Sequence, residues 1–404
     1  MLRAIAFVSV AAAVAVASWV PIGPDGGNVM ALAASPSQPA TLVSVLYSND
    51  TVLPVYRTTD AGAGWQRVGG VSRVAAIVID PFDPMSVYSL DGGNLVGHSS
   101  DGGASWEYGA VPFSASAIGC DPFVPGRVYA AGANYDSIEI PTFCISTDHG
   151  QSWAGGPVEY DTGAIYVLDV SAVDSGVIFL GGEYGQVFVS TDAGETWESR
   201  SSGFSHDDIV LALSASHGDP GIVCAGSIYG MYRTTDAGLS WTQATGPRFV
   251  MSVDFSPAEP AKGYAYGYDT IDVCFSTTDA GATWLPMARV IPSARFGGLT
   301  ADPALGDGVW CPTISGVMHS TDRGEHWNPV NTGLHSADIS CLSVPGWNRE
   351  HVYLEVTGVG VYKSLDAGRN WEKCADFLSC GNICGIGLAQ GTDGDRLYAL
   401  EGAG

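Results

Sequence analysis

The stretch STDAGETW at residues 190–197 decides the fold, because the chain contains its pattern eight times. Each copy has D-x-G-x-x-W, and successive aspartates are separated by 41 to 47 residues. The copies are TTDAGAGW (58–65), SSDGGASW (99–106), STDHGQSW (146–153), STDAGETW (190–197), TTDAGLSW (234–241), TTDAGATW (277–284), STDRGEHW (320–327) and SLDAGRNW (364–371). Chance would give roughly 0.1 copies in a chain of this composition. The chain is therefore an array of tandem units.

The residues around each box alternate like short β-strands. In the fourth unit the pattern predicts strands at 165–170, 177–180, 187–190 and 197–200, with polar or glycine-rich turns between them. Four short antiparallel strands in a unit of about 44 residues are typical of a propeller blade. No segment has helical periodicity. We therefore predict an all-β fold, a single β-propeller of four-stranded blades with a box hairpin in each.

The box has a structural task in the turn between the third and fourth strands. Its aspartate can accept hydrogen bonds from turn N–H groups, and its glycine can supply a positive φ. Its tryptophan can cover the turn with a large apolar ring. A catalytic or calcium-binding role is disfavoured, because one active site would not need eight similar copies.

These boxes resemble the Asp-box family, also called bacterial neuraminidase repeats. The resemblance covers residues 19 to 401, and the same hairpin occurs in sialidases, xyloglucanase-type glycoside hydrolases, sortilin-type receptors and a photosystem II assembly factor. In those families the boxes lie at the blade periphery, away from the ligand site. The resemblance therefore implies the fold strongly and the activity weakly.

The two ends of the repeat array predict eight or nine blades. Trp19–Gly23 resembles a strand that follows a box, and 386–390 and 396–401 resemble the first two strands of another unit. A composite blade would join these C-terminal strands to the N-terminal strand, but its third strand is missing. Two explanations stay open: imperfect closure, or a sequence truncated at its C-terminus. The predicted domain comprises residues 18–404.

Residues 1–17 have the pattern of a signal peptide. Arg3 supplies the positive charge, residues 4–17 form an apolar run, and Ala15-Val16-Ala17 is an A-x-A cleavage site. The run is short for a bilayer span, although an uncleaved anchor stays open as the alternative. No later stretch is apolar for long enough to cross a membrane. We expect a secreted or cell-envelope protein without a membrane span.

The charge balance limits the partners. There are 42 acidic and 17 basic side chains, for a net charge of −25. Such a surface repels phosphate backbones, which argues against nucleic acid, but it accepts neutral glycans and basic proteins. The nine cysteines are an odd number, so at least one is unpaired, and they match no zinc pattern. We expect a monomer with no cofactor and no metal.

Known catalytic motifs are not matched. The R-I-P element of sialidases is absent, and the T-D-x-G-G element of xyloglucanase-type enzymes is replaced by residues 47–51, where Asp50 is a possible substitute. There is no H-E-x-x-H motif, phosphate loop or serine triad. We therefore favour a secreted, non-catalytic binding or scaffold propeller that recognises a glycan or a protein. A glycoside hydrolase of xyloglucanase or sialidase type is the alternative, acting through loop carboxylates.

The binding residues are expected in loops that join strands two and three or join one unit to the next. In propellers these loops line one face and the mouth of the tunnel. Tyrosines and acids there can stack on sugars or bond their hydroxyls. The alternative for each residue is an ordinary solvated loop side chain. The candidates are Arg73, Tyr135, Glu183, Tyr184, His206, Asp207, Asp208, Arg248, Tyr268, Asp269, Arg295 and His335.

Overall fold

The computed structural model describes residues 26–48, 51–134, 140–158, 163–268, 272–287, 298–313 and 316–332, and shorter segments at 335–336, 339–343, 350–356, 360–366, 370–376, 383–391 and 394–401. Within these ranges the secondary structure is β, apart from one 3-10 turn at Glu183–Gly185. None of the helical structure in these ranges has the length and apolar character needed to cross a bilayer.

Within these ranges, eight antiparallel sheets of four strands follow one another along the chain. Strand β1 is Gly26–Gly27. The first four sheets are β2 (Val29–Ala34), β3 (Leu42–Leu46), β4 (Leu53–Thr58) and β5 (Gln66–Val71); β6 (Ala76–Ile79), β7 (Val87–Leu90), β8 (Leu95–Ser99) and β9 (Glu107–Ala110); β10 (Ser114–Cys120), β11 (Val128–Asn134), β12 (Ile140–Ser146) and β13 (Ala154–Pro157); and β14 (Ile165–Val170), β15 (Ile178–Gly182), β16 (Val187–Ser190) and β17 (Glu198–Ser199).

The remaining strands continue this order to the C-terminal hairpin. They are β18 (Val210–Ala215), β19 (Val223–Ser227), β20 (Gly230–Thr234) and β21 (Thr242–Gln243); β22 (Phe249–Phe255), β23 (Gly263–Tyr268), β24 (Asp272–Thr277) and β25 (Leu285–Pro286); β26 (Thr300–Ala301), β27 (Val309–Thr313), β28 (Gly316–Ser320) and β29 (Asn328–Pro329); β30 (His335–Ser336); β31 (Ile339–Ser343), β32 (Val352–Val356), β33 (Gly360–Ser364) and β34 (Glu372–Asp376); and the hairpin β35 (Ile383–Gly391) and β36 (Gly394–Glu401).

The first strand of each sheet lies innermost. From the first sheet to the seventh, the first strands of consecutive sheets pack against one another. The second and third strands are buried on both faces between neighbouring sheets, so they are nearly continuous apolar runs, as in β15. The fourth strand lies outermost, and in β17 both residues are exposed. Alternation of buried and partly buried residues is therefore clearest in the innermost strands, as in β2.

Seven sheets form a closed circuit. Seven apolar clusters lie between neighbouring sheets, and one of them joins Val29 and Leu42 of the first sheet to Trp310 and Val317 of the seventh. The indole N–H of Trp65 donates to the Val330 carbonyl at 2.7 Å across the same junction. The first sheet thus packs directly on the seventh.

The prediction of an all-β propeller of eight or nine four-stranded Asp-box blades is confirmed in its fold class, and eight such sheets lie within the described residues. Closure differs from the expectation that the C-terminal strands join an N-terminal strand, because the seventh sheet already covers the first. The eighth sheet packs instead against the hairpin β35–β36, and β1 pairs in parallel with β30. The predicted signal peptide and Trp19–Gly23 lie outside the described residues.

Each box closes the turn between the third and fourth strands. In the fifth sheet the Thr234 hydroxyl donates to Asp236 Oδ1 at 2.6 Å, and Asp236 accepts the Ser240 N–H and hydroxyl at 2.9 and 2.6 Å. Gly238 has a φ of +89° and donates its N–H to Thr234 Oγ1 at 3.0 Å. The bonds from Ser240 and Thr234 lower the pKa of Asp236 to about 2. These bonds agree with the structural role expected of the motif.

Candidate functional site

Two kinds of loop meet at one face of the ring. Because neighbouring strands run antiparallel, the loop between the second and third strands leaves a sheet at the same end as the connection to the next sheet. The boxes, in the turns between third and fourth strands, lie at the opposite end. There the N–H of Ala237 donates to the Gly221 carbonyl of the turn between first and second strands, at 3.0 Å. We call the box-free end the loop face.

A cleft of about 260 Å³ opens on the loop face between the fourth and fifth sheets. It brings together five of the residues predicted from the sequence, namely Glu183, Tyr184, His206, Asp207 and Asp208. The ring of Tyr184 stacks on the ring of His206, with centroids 5.0 Å apart and planes inclined by 17°. Tyr184 is 42% exposed. The pair therefore presents a flat aromatic surface to solvent.

The backbone of the 3-10 turn fixes this stack. Tyr184 has a φ of +57°, in the left-handed region that non-glycine residues rarely adopt. The next residue, Gly185, donates its N–H to the Asp208 carbonyl at 2.7 Å. A Cβ on Gly185 would lie 2.5 Å from the Ser205 carbonyl oxygen, so only glycine allows the two loops to approach this closely. Backbone strain at Tyr184 thus accompanies a tight junction between the two sheets.

The Glu183 and Asp208 carboxylates are held by protein donors. Glu183 accepts the Tyr166 hydroxyl at 2.8 Å and the Ala164 N–H at 3.3 Å. Asp208 is fully buried and accepts the Ser227 hydroxyl at 3.0 Å. Its burial raises the pKa of the Asp208 carboxyl above the ordinary value.

Asp207 differs from these two acids, because it lies exposed at the rim of the cleft. Its backbone N–H donates to Ser205 Oγ at 3.4 Å. The carboxylate of Asp207 is therefore the one best placed to accept a hydrogen bond from a ligand.

The other predicted residues are distributed around the loop face. Arg73 and Arg248 are exposed in the connections that precede β6 and β22, and Tyr268 is 48% exposed at the end of β23. His335 lies in β30. Tyr135, Asp269 and Arg295 lie outside the described residues, as does Asp50, the possible substitute carboxylate.

Comparison with known proteins agrees with this architecture. The BNR/Asp-box repeat family model matches residues 188–199. The chain is a β-propeller built from Asp-box repeats. No curated protein sequence matches it. A GH74 xyloglucanase structure from Xanthomonas campestris is similar to the Asp-box propeller with a TM-score of 0.62 and 16% identity, over 94% of this chain and 73% of that one.

Two further structures share the fold. An ancestral GH74 enzyme has a TM-score of 0.67 and 17% identity, over 96% of the Asp-box propeller and 60% of the enzyme. YCF48 bound to D1 peptide has a TM-score of 0.54 and 14% identity, over 74% of this chain and 95% of YCF48. At these identities the likeness establishes the fold alone.

Sequence reasoning missed two residues that hold the acids of the cleft. Tyr166, on the inner strand β14, is 37% exposed and holds Glu183. Ser227, at the end of β19, is buried and holds Asp208. An aromatic residue at an exposed position of an inner strand was the available signal for Tyr166. Ser227 gave none, because its role depends on a neighbouring loop.

One group of possible metal ligands lies in the seventh box of the Asp-box propeller. Among the described residues, Asp322, Glu325 and His326 place ligand atoms within 4.8 Å of one another. His326 Nδ1 is 2.7 Å from Asp322 Oδ2, in the place where other boxes have a serine or threonine hydroxyl. The contact therefore belongs to the box turn, and the group is exposed at the end of the ring opposite the cleft.

Proposed function

We propose that the protein is an exported binding propeller that recognises a neutral glycan through the cleft between the fourth and fifth sheets. The stacked rings of Tyr184 and His206 carry this proposal. A pyranose ring has an apolar face that packs on such a surface, and its hydroxyls can bond the exposed carboxylate of Asp207. The net charge of −25 disfavours anionic ligands.

The hydrogen bonds of the acids favour binding over catalysis. Glu183 and Asp208 are each held by protein donors, which fixes the cleft wall rather than leaving two free carboxylates opposite one another. Glycoside hydrolysis needs a pair of carboxyl groups that act on the same bond. In this proposal Glu183 and Asp208 orient the loops, and the aromatic pair and Asp207 contact the sugar.

A glycan array followed by calorimetry tests the binding proposal. We expect Tyr184→Ala to weaken binding of the best glycan by about tenfold or more, since aromatic anchors dominate such contacts. Tyr108→Ala is the matched control, because Tyr108 is 45% exposed but lies on the outer strand β9. Equal affinities of the two variants would contradict the placement of the ligand in this cleft.

A glycoside hydrolase is the second candidate, and Asp208 favours it. A buried carboxyl with a raised pKa, beside Asp207 and Glu183, has the character of a general acid. The two similar GH74 structures add fold-level analogy. If the protein releases reducing sugar from xyloglucan, and Asp208→Asn abolishes release while the melting temperature is retained, the hydrolase proposal replaces the binding one.

A peptide ligand is the third hypothesis to be tested. If no glycan binds and no sugar is released, a peptide ligand is the remaining hypothesis, in line with the peptide bound to the similar YCF48 structure.

Export through cleavage after Ala17 is also part of the proposal. Mass spectrometry of the protein recovered from its native host is expected to find Ser18 as the first residue, and retention of residues 1–17 would contradict it.

A further inference from the structure

Four of the seven junctions between neighbouring sheets share a packing contact at their outer edge. At these four junctions the residue three positions after a box tryptophan packs against the box glycine of the next sheet. Arg200, three positions after Trp197, donates from its guanidinium to the Ala237 carbonyl at 2.7 Å, and its own carbonyl accepts the Trp241 indole N–H at 2.9 Å. Side chains that fill the same gap at other junctions are Val68, Met287 and Val330.

The junction between the third and fourth sheets lacks this contact and leaves the space open. Gly156 occupies the position three residues after Trp153, and a Cβ built there would meet nothing within 4 Å. Gly156 has no positive φ, so the backbone does not require glycine. The missing side chain leaves a groove of about 440 Å³ between β13 and the box of the fourth sheet. We call it the lateral groove.

Two hydrogen-bond donors at the lateral groove have no partner among the described residues. Arg127 lines the groove, and its Nε is buried without a hydrogen bond. Trp197 also lines the groove, and no hydrogen bond of its indole N–H is found within the described part of the chain. The ring of Phe143 packs edge to face on the ring of Trp197, with centroids 4.9 Å apart, and closes the inner side of the groove. The groove thus has the aromatic rings of Trp197 and Phe143 in its wall, and hydrogen-bond donors of Arg127 and Trp197 that no described protein acceptor satisfies.

We propose that the lateral groove binds one pyranose unit of a neutral glycan. The apolar face of the sugar packs against the half-buried ring of Trp197, and its oxygens accept from the partly exposed guanidinium of Arg127 and from the Trp197 indole. Glu195, exposed at the rim, accepts from a sugar hydroxyl. The volume is in the range of small-molecule sites, about 300–1,000 Å³. This site is separate from the loop-face cleft and does not rest on the function proposed for it.

The chemistry of the groove argues against the other occupants. An anion is disfavoured because Arg127 already pairs with Asp121 at 3.3 Å and the chain carries a net charge of −25. An added peptide strand needs a regular row of free backbone groups, but β13 has four residues and ends at Pro157, which has no N–H. A polyhydroxylated neutral ring needs neither feature.

Indole resonances of the full-length protein, labelled with ¹⁵N-tryptophan, test the proposal directly. Trp197→Phe assigns the signal, and cellohexaose, mannohexaose and a xyloglucan oligosaccharide are each titrated to millimolar concentration. We expect a saturable shift of the Trp197 signal with at least one of them. Gly156→Arg copies the side chain found at Arg200 and is expected to weaken that binding by about tenfold or more.

Control variants separate the possible outcomes. Ser199→Arg adds the same charge on the exposed strand β17, outside the groove, and is expected to leave the shift intact. Tyr184→Ala, in the loop-face cleft, is also expected to leave it intact, so failure of the two sites can be told apart. Three results would overturn the proposal: no shift with any of the sugars, an undiminished shift in folded Gly156→Arg, or saturable binding of an uncharged, capped alanine tetrapeptide alone.

Discussion

The hydroxyl two positions before the box aspartate both donates and accepts a hydrogen bond, so the stability of the turn depends strongly on it. Thr234 Oγ1 donates to Asp236 at 2.6 Å and accepts the Gly238 N–H at 3.0 Å. Thr234→Val keeps the shape but leaves both partners unsatisfied, so we expect a loss of about 2 kcal/mol in the free energy of unfolding. Thr235→Val, at the exposed neighbour, is the control in the same denaturation experiment. Equal stability of the two variants would show that the hydroxyl contributes nothing.

The sequence predicted the glycine of the box but not the residue before it. Ala237 has a φ of +55°, and alanine, histidine or arginine holds the same region in five other boxes. Its strain is offset by the N–H bond to the Gly221 carbonyl. Two departures from the motif also prove equivalent, since His326 and Asn370 bond their aspartates as serine does. The residue types of the box predict the turn, whereas the compensating bond depends on how a second turn of the same sheet lies against it.

The inner strands carry a polar ladder within an otherwise apolar layer. Asp169 of β14 accepts the Ala215 N–H at 2.7 Å, and Asp254 of β22 accepts the Ala301 N–H at 2.8 Å, each from the next sheet. Ser214, between them in the ring, accepts the Phe255 N–H at 3.0 Å. Burial raises the pKa of the Asp169 and Asp254 carboxyls to about 7.

This ladder predicts that thermal stability declines from acid to neutral pH. A carboxyl with a folded pKa of about 7 and an unfolded pKa of 3.8 contributes stability that is complete below 3.8 and lost as the pH rises through 7. The box aspartates act oppositely, since a folded pKa of about 2 gives stability lost as the pH falls from 3.8 to 2. We expect a maximum melting temperature at about pH 4.

Calorimetry of Asp169→Asn and Asp254→Asn checks the cause of that decline. Each amide keeps the acceptor and removes the titration, so each variant is expected to flatten the curve between pH 4 and 7, by about 1.4 kcal/mol per unit of pKa difference removed. Glu107→Gln removes an exposed carboxylate from β9 and is expected to keep the slope. An unchanged slope in both ladder variants would rule out the ladder as its origin.

The elements of the cleft were predictable in position but not in contact. Strand spacing placed Glu183 and Tyr184 in one loop and His206, Asp207 and Asp208 in the next, and antiparallel pairing places both at one end of the ring. The stacking of Tyr184 on His206 depends on a positive φ at a tyrosine, which no local pattern indicates. The spacing of the strands therefore predicts which face of the ring carries these residues, whereas the strained backbone at Tyr184 determines how its ring stacks on His206.

At the scale of the whole molecule, the repeats predicted the sheets and left the closure open. Eight similar boxes do not predict which sheet packs against the first one, because every unit has the same kind of apolar face. The junction is decided by particular side chains far apart in the chain, such as Trp65 against Val330 and Val29 against Trp310. Such pairings are visible only once the sheets are placed around the ring.

The closed circuit predicts where the chain can be shortened. A chain ending at Ser336 keeps all seven junctions, so we expect it to melt cooperatively near the temperature of the full chain. A chain ending at Pro286 loses the seventh sheet and exposes the apolar face around Val29 and Leu42, which favours aggregation. Circular dichroism melts and light scattering compare the two. Equal loss of cooperative melting in both would mean that the eighth sheet and the C-terminal hairpin are needed to hold the ring together.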